Sequence, residues 1–189
     1  MTDELILVNN LKNVQTKERA FRTLITEYKE RLYWHIRKIV LSHNDADDVL
    51  QNTFIKIFRN IDKFKADSKL YSWMYRIATN ESITFINKRA KVKSVDVADY
   101  HKEMASNLAE DEFFSGDEIE VILQQAIATL PQKQQLVFNM KYFDELKYNE
   151  ISEILETSVG ALKASYFHAV KKIENYLKLI NNQLSLKFH

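Results

Sequence analysis

The 189-residue sequence contains no cysteine, one proline and two glycines. Without thiols there are no disulfides, no thiolate nucleophile and no cysteine-ligated zinc, and the absence fits a reducing compartment. With so few helix breakers and turn formers, the chain has little means of building a sheet. No long run alternates apolar and polar residues, so the expected fold is all-α. No apolar stretch approaches the length of a membrane span. The opening Met1-Thr2-Asp3-Glu4-Leu5 is acidic and lacks the charged-then-apolar plan of a signal peptide. The expectation is a soluble protein of the cytoplasm. Nothing pairs a nucleophile with a base and no glycine-rich phosphate loop appears, so no catalytic residue is assigned.

A large charge of one sign is also missing. The formal net charge is +1, whereas a nucleic-acid-binding domain usually carries a clear basic excess. The total conceals segregation. Lys56, Arg59, Lys63, Lys65, Lys69, Arg76, Lys88, Arg89, Lys91 and Lys93 crowd one stretch, and bases return at Lys163, Lys171, Lys172 and Lys178. Between them lie Asp96, Asp99, Glu103, Glu110, Asp111, Glu112, Asp117, Glu118 and Glu120 against Lys102. Two basic segments divided by an acidic one imply two modules that meet a polyanion, joined by a tether that avoids it.

What is present is helical periodicity. Leu5, Ile6, Val8 and Leu11 fit a short first helix, and from about Lys17 the residues Phe21, Leu24, Tyr28, Leu32, Ile36 and Ile39 form one stripe. Asn44 or Asp45 is the expected cap of the next helix, which carries Val49, Thr53, Phe54, Ile57, Phe58 and Ile61. A polar joint from Lys63 to Ser68 precedes a fourth helix ending near Lys88. From Lys91 to about Ser115 the pattern weakens, which reads as a flexible linker holding one helical turn. Ile119, Ile122, Leu123, Ala126, Ile127 and Leu130 open the second module, and Pro131 suits the first turn of a helix reaching about Tyr142.

Near the end, Ile151, Ile154 and Leu155 recur at the spacing of one buried helix face. Glu156-Thr157-Ser158 follows, then a longer helical pattern from Val159 to Ile173 that Ser158 can cap. A short helix, a three- or four-residue turn and a second helix describe the helix-turn-helix of duplex-DNA readers. An ordinary helical hairpin inside a bundle accounts for the same residues.

On the fourth helix Trp73, Arg76 and Asn80 share one face, with Leu70, Met74, Ile77 and Ala78 on the adjacent apolar one. Aromatics interleaved with Arg, Lys and Asn suit unpaired nucleic acid, which offers π-faces to stack on and base edges to read. Equally, Trp73 and the nearby Tyr71 and Tyr75 can be core residues with their polar tips outward. The acidic turn from His43 to Asp48 has carboxylates and a His, but lacks the Gly and closing Glu of a calcium loop. A solvated helix start favourable to the dipole explains it. A polar docking surface is the further option, since Asp48, Gln51, Asn52 and Lys56 lie together at helical spacing.

Residues 45–56, Asp-Ala-Asp-Asp-Val-Leu-Gln-Asn-Thr-Phe-Ile-Lys, resemble the A-E-D-x-x-Q-E-x-F-x-K pattern of region two in bacterial sigma factors. Residues 64–80 are similar to that region's F-x-x-x-S-x-x-x-x-W-L-x-R-I-A-x-N signature. Leu130-Pro131 through Tyr142-Phe143, Tyr148-x-Glu150-Ile151 and Val159-Gly160 look like region four. The resemblance runs from about Ala20 to Leu177, and with no intervening region three the nearest subgroup is the extracytoplasmic-function sigma factors.

That resemblance implies two small helical domains: 1–92 as region two, 93–115 as a flexible acidic linker, 116–180 as region four, and 181–189 as a disordered tail. It implies a subunit without catalysis or cofactor that joins core RNA polymerase and directs promoter-specific initiation. Asp48, Gln51, Asn52, Phe54 and Lys56 would dock on the polymerase. Phe64, Lys65, Ser68, Ser72, Trp73, Arg76 and Asn80 would engage the melted −10 element. Tyr148, Lys163, Ala164, Phe167 and His168 would lie at the −35 duplex, with Lys171 and Lys172 on its phosphates. The linker would thread the polymerase cleft. An anti-sigma factor is a common partner in the family, and no residue here points to one. The alternative is a stand-alone helix-turn-helix regulator.

Departures from the family pattern are specific. Recognition helices there often carry several arginines; here Lys163, Ser165, His168 and Val170 stand at those places, which reduces bidentate readout of guanine. Asn52 replaces the usual Glu of the docking motif. Glu145-Leu146 stands where many relatives have Gly-Leu.

Overall fold

Nine α-helices and two 3-10 turns make up the computed structural model, which describes residues 3–111 and 118–187; no strand occurs among them. The chain divides into two compact units, one of residues 1–85 with 153–156, the other of 86–152 with 157–189.

The first unit holds α1 (Asp3–Lys12), α2 (Lys17–Val40), α3 (His43–Asn60), a 3-10 turn (Ile61–Lys63) and most of α4 (Leu70–Lys93). The stripe on α2 is its inner face: Leu24, Leu32 and Ile36 are fully enclosed and Ile39 nearly so, while Phe21 and Tyr28 are half-buried. Packing of such a face, more than intrinsic propensity, is what stabilises a helix in water. The end of α2 comes at Leu41, left-handed at φ 61°, whose N–H returns to the Arg37 carbonyl. Glycine usually fills that position; this glycine-poor chain uses leucine.

Ser42, in extended conformation, is the N-cap of α3, its Oγ accepting from the Asp45 N–H at 3.4 Å. The sequence pointed to Asn44 or Asp45, which fall inside the first turn. The true cap was obscured because His43-Asn44-Asp45 presents several good capping types in a row after it. The inner face of α4 is Leu70, Met74 and Ala78, all fully buried, with Tyr75 beside them. His35 of α2 secures this seat: its ring lies 4.5 Å from Tyr75 and its Nε2 is 2.9 Å from Thr79 Oγ1. The Thr79 hydroxyl donates to the Tyr75 carbonyl, so it is His35 Nε2 that donates to Thr79.

The second unit holds α5 (Val97–Ser106), a 3-10 turn (Asn107–Glu110), α6 (Glu118–Ala128), α7 (Gln132–Tyr142), most of α8 (Tyr148–Leu155) and α9 (Val159–Lys187). Its core gathers Ala126, Ile127 and Leu130 with Phe138 of α7 and Ala169 and Ile173 of α9. Pro131 is the N-cap residue of α7, one position before the first turn where it was expected.

Two segments expected to lack order are helical. Within 93–115 the chain forms α5, with Tyr100, His101 and Ala105 buried and Leu108 beyond it enclosed. Gln135 Nε2 donates to the Leu130 carbonyl, leaving its Oε1 to accept from His101 Nδ1 at 2.7 Å. Such a partner, 34 residues away, turns a polar histidine into a core residue, which a local pattern of apolar spacing cannot register. The end of α4 is pinned alongside by Lys93, which donates to Glu103 at 2.8 Å and lies over the Tyr100 ring. The part of the expected linker after Asp111 lies outside the described residues. At the other end α9 continues through 181–187, where a tail was expected, because nothing after Gly160 in the sequence breaks a helix; residues 188–189 are not described.

Tyr28 carries a pH consequence. Burial first, then the Glu27 and Glu4 carboxylates, push its phenol up to about 12 from an ordinary value of 10.0. Above pH 10 the unfolded chain ionises this tyrosine while the folded chain does not, so this contribution to stability is present below pH 10 and lost between about 10 and 12. Denaturant titrations from pH 9 to 12 should show a shallower alkaline loss of stability in Tyr28→Phe than in the parent.

Candidate nucleic-acid and docking surfaces

Helix α8 begins after Lys147, whose backbone N–H is received by Glu150 Oε2 at 2.9 Å, half of a capping box. Ile151 and Ile154 are buried, and the turn passes through Glu156, left-handed at φ 51°. Ser158 then caps α9, accepting from the Ala161 N–H at 3.4 Å, as the sequence indicated. On α9 the inner positions are Leu162, Ala169 and Ile173, with Tyr166 half-buried between them. Lys163, Ala164, Phe167, His168, Lys171 and Lys172 are all exposed on the remaining surface. The predicted reading face is therefore a continuous outer face, and the fold makes no demand on most of it.

Its cations are pre-placed. Lys141 and Lys163 both approach the half-buried Tyr148 ring, at 5.4 and 5.8 Å. Lys171 lies 4.5 Å from the centre of the Phe167 ring, and Lys172 donates to Gln134 Oε1 at 3.2 Å. Phe138 stacks with both Tyr142 and Tyr166, and Tyr148 meets Tyr166 edge-on. Burial, then the neighbouring Tyr148 and Tyr142, raise the Tyr166 phenol above its ordinary value. Lys141 and Tyr142 were not singled out from sequence. Their place at the end of α7 shows only once α7 is packed on α9.

The start of α4 forms a second surface. Phe64 and Trp73 meet at 5.3 Å between ring centres. Trp73 and Arg76 are half-buried, while Asn80 and Lys65 are exposed and Ser68 is partly so. Two predicted contact residues sit deeper: Phe64 is 3% exposed and Ser72 is 1% exposed. In this conformation they underlie the surface rather than form it, Phe64 backing Trp73 and Ser72 facing inward on α4. Tyr75 proves to be core, whereas Tyr71 is half-buried with Arg31 and Lys69 over its ring.

A third surface lies on α3. Asp48, Gln51 and Asn52 are exposed along one side. Phe54 is 8% exposed and packs edge-on to Phe21, so it supports that side from beneath. Lys56, also exposed, is tied to Glu81 of α4 in an ion pair. Gln51 stands between two grooves of about 690 and 410 Å³. The larger is walled by Phe21, Ile25, Phe54, Ile55 and Phe58, the smaller bounded by Lys29 and Asp48. The sequence reading missed this apolar wall. An isoleucine at 55, spaced with Asp48, Gln51 and Asn52 on an otherwise polar side, was the available signal. His43, in the acidic turn, lies 2.7 Å from the Tyr33 hydroxyl and 3.6 Å from Asp47.

The family description Sigma-70 region 2 matches residues 24–92, and Sigma-70, region 4 matches residues 120–173, about two thirds of the chain together. The chain is 29% identical over 184 residues to the ECF RNA polymerase sigma factor SigW of Bacillus subtilis (strain 168), covering 93% of this chain and 98% of the relative. Among solved structures, CnrH in complex with the cytosolic domain of CnrY superposes with a TM-score of 0.68 at 20% identity, covering 93% of this chain and 97% of that one. The sigma factor RpoE in complex with the anti-sigma factor NepR, from Bartonella quintana, gives 0.63 at 18% identity over 84% and 96%. These two share the fold. A helical protein with sigma-70 regions 2 and 4 in that order is a sigma factor. This chain belongs to the extracytoplasmic-function (ECF) sigma factors.

Glu145 supplies a local test. Its φ of 55° puts a side-chain-bearing residue in the left-handed region, at a cost of roughly 1–2 kcal/mol. A glycine avoids that strain but loses about 0.4–1 kcal/mol through the greater freedom of the unfolded chain. Glu145→Gly should therefore raise the unfolding free energy by about 0.5–1 kcal/mol, read as a higher urea midpoint with an unchanged denaturant slope.

Proposed function

We propose that this protein joins core RNA polymerase and selects promoters by two separate readings of DNA, one of opened strand and one of intact duplex. Two surfaces carry the proposal: the exposed face of α9 and the Trp73/Arg76/Asn80 face of α4, each backed by a buried apolar stripe. A stand-alone helix-turn-helix regulator is not favoured, because the match to region 2 occupies the first half of the chain.

In this reading residues 1–92 dock on polymerase and handle the −10 element, and residues 116–180 read the −35 duplex. Asp48, Gln51 and Asn52 meet a polar partner surface, and the adjoining groove floored by Phe54 receives its apolar side chains. Lys56 takes part through its pair with Glu81, which sets α3 against α4. Opened −10 strand stacks on Trp73, with Arg76, Lys65 and Ser68 toward its phosphates and Asn80 toward a base edge. Stacking is worth about 1–3 kcal/mol per base, which offsets part of the cost of unpairing. At the −35 element α9 enters the major groove. There Lys163, Ala164, Phe167 and His168 face the bases, and Tyr148, Lys171 and Lys172 face the backbone. With no arginine at these positions, readout rests more on apolar contact and groove shape than on bidentate guanine recognition.

The chain works in the cytoplasm, where its polymerase is, and performs no chemistry of its own. No described helix is long and apolar enough to cross a membrane. An anti-sigma factor is the third class of partner, as in the RpoE–NepR complex.

Purified core polymerase plus this chain should transcribe from a promoter mapped by its start site; no transcript and no comigration with core would end the proposal. Trp73→Ala should weaken binding of the unpaired −10 strand about ten-fold while leaving core affinity intact. Normal promoter melting by that variant would show that the wrong face of α4 has been assigned. Combined Asp48→Ala and Gln51→Ala substitution should do the reverse, lowering core affinity without changing the fold measured by circular dichroism.

A further inference from the structure

The match to region 2 starts at residue 24, leaving α1 and the first turns of α2 ahead of it. Three polar contacts from this leading stretch nevertheless converge on one segment, residues 61–70. Glu4 Oε1 accepts from the Leu70 N–H at 2.9 Å. Lys12 Nζ donates to the Phe64 carbonyl, and Lys17 Nζ pairs with Asp62 at 3.2 Å. Val8 and Leu11, 4% and 0% exposed, anchor α1 by its apolar side.

The segment needs outside support. Ala66 sits at φ 59°, a left-handed conformation costly for any residue with a Cβ. Leu70 is the first residue of α4, so its N–H has no partner within the helix. A carboxylate there satisfies the orphan donor and favours the positive end of the helix dipole. Such caps normally come from the residue just before the helix; this one comes from 66 residues earlier. The joint so held is the one that carries Phe64, Lys65 and Ser68 and leads directly into Trp73.

We propose that the leading stretch, α1 with the first residue of α2, is a strap that fixes the strand-reading corner of the protein, with Glu4, Lys12 and Lys17 as positioning residues for contact with unpaired −10 DNA. This rests on the assignment of that corner to the opened strand. The strap sets the backbone of 61–70 in advance, so the ordering cost is not met when the strand arrives.

The test uses the full chain in holoenzyme and three probes: core polymerase, a −35 duplex, and the single-stranded non-template −10 oligonucleotide of a mapped promoter. Glu4→Ala removes the cap, whereas Glu4→Gln keeps an acceptor for the Leu70 N–H. Glu4→Ala should bind the −10 oligonucleotide about five-fold more weakly, with core and duplex affinities unchanged. Glu4→Gln should recover most of the loss. Hydrogen exchange in the free chain should quicken at 61–71 in Glu4→Ala and in Lys12→Met, and not in α9. Parental oligonucleotide affinity in Glu4→Ala overturns the strap, as does an equal loss for all three probes, which marks general destabilisation. Failure of the unsubstituted holoenzyme to retain the oligonucleotide overturns the assignment of the corner itself, and the strap with it.

Discussion

Burial of one helix face is what leaves the opposite face available for work, and both surfaces proposed to read DNA depend on it. On α9 the enclosed positions Leu162, Ala169 and Ile173 take up the needs of the core. Lys163, Phe167, His168 and Lys171, outside that stripe, are then constrained by little except what they contact. On α4 the same division falls between Leu70, Met74 and Ala78 inside and Asn80 outside. Burying a Leu or Met side chain gains about 1.5–3 kcal/mol, against a few tenths for most exposed pairs. The core can therefore hold each helix rigid while its outer face is occupied by residues that the core itself does not require.

The periodicity that sets this division is written in the chain, which is why the helices and their faces were legible. Ile151 and Ile154 are buried as their spacing required, and Ser158 caps α9 with the hydroxyl the turn offered. The candidate functional faces were chosen from the same pattern by subtraction, joined to the resemblance of residues 45–56 and 64–80 to region two. Depth was less legible than direction. Phe54, Phe64 and Ser72 were placed correctly along their elements, yet they are buried. An aromatic or small side chain at a boundary position is compatible with either side of the surface, and only the packed neighbours decide.

What stayed hidden depends on partners distant in sequence. The inner face of α5 includes His101, whose burial depends on Gln135 34 residues away, although Tyr100, Ala105 and Leu108 beside it already carry helical spacing. Glu4 reads locally as an acidic residue in the first turn of α1, where a carboxylate is favourable in any case; its contact with Leu70 joins residues 66 apart. The capping of α3 by Ser42 was a different failure, a choice among neighbouring residues of equal promise. Left-handed residues were hidden for a third reason. With two glycines in the sequence, Leu41, Ala66, Ser94, Glu145 and Glu156 adopt positive φ without the residue that normally announces it. Each accepts strain that neighbouring contacts must outweigh, so the left-handed residue within a turn of this chain cannot be found by looking for glycine.

The charge distribution bears on how the two surfaces are used. A net charge of +1 gives the chain as a whole little long-range attraction to a polyanion, and what attraction there is comes from its two basic segments. The cations on α9 act at short range, and several are committed within the fold. Lys163 lies over Tyr148, Lys171 over Phe167, and Lys172 is bonded to Gln134. In the proposed reading such cations are already positioned when DNA is brought near, Lys171 and Lys172 for phosphates and Lys163 for the groove, and they contribute little to capturing DNA from solution. Affinity for duplex rises with the number of phosphates neutralised, and this face offers few. A protein of this charge gains by binding DNA as part of a larger body that supplies the electrostatic capture. Its own residues then decide which DNA is retained. The weak overall charge, a poor sign of a DNA-binding protein taken alone, is compatible with a specificity subunit that meets promoters as part of its polymerase.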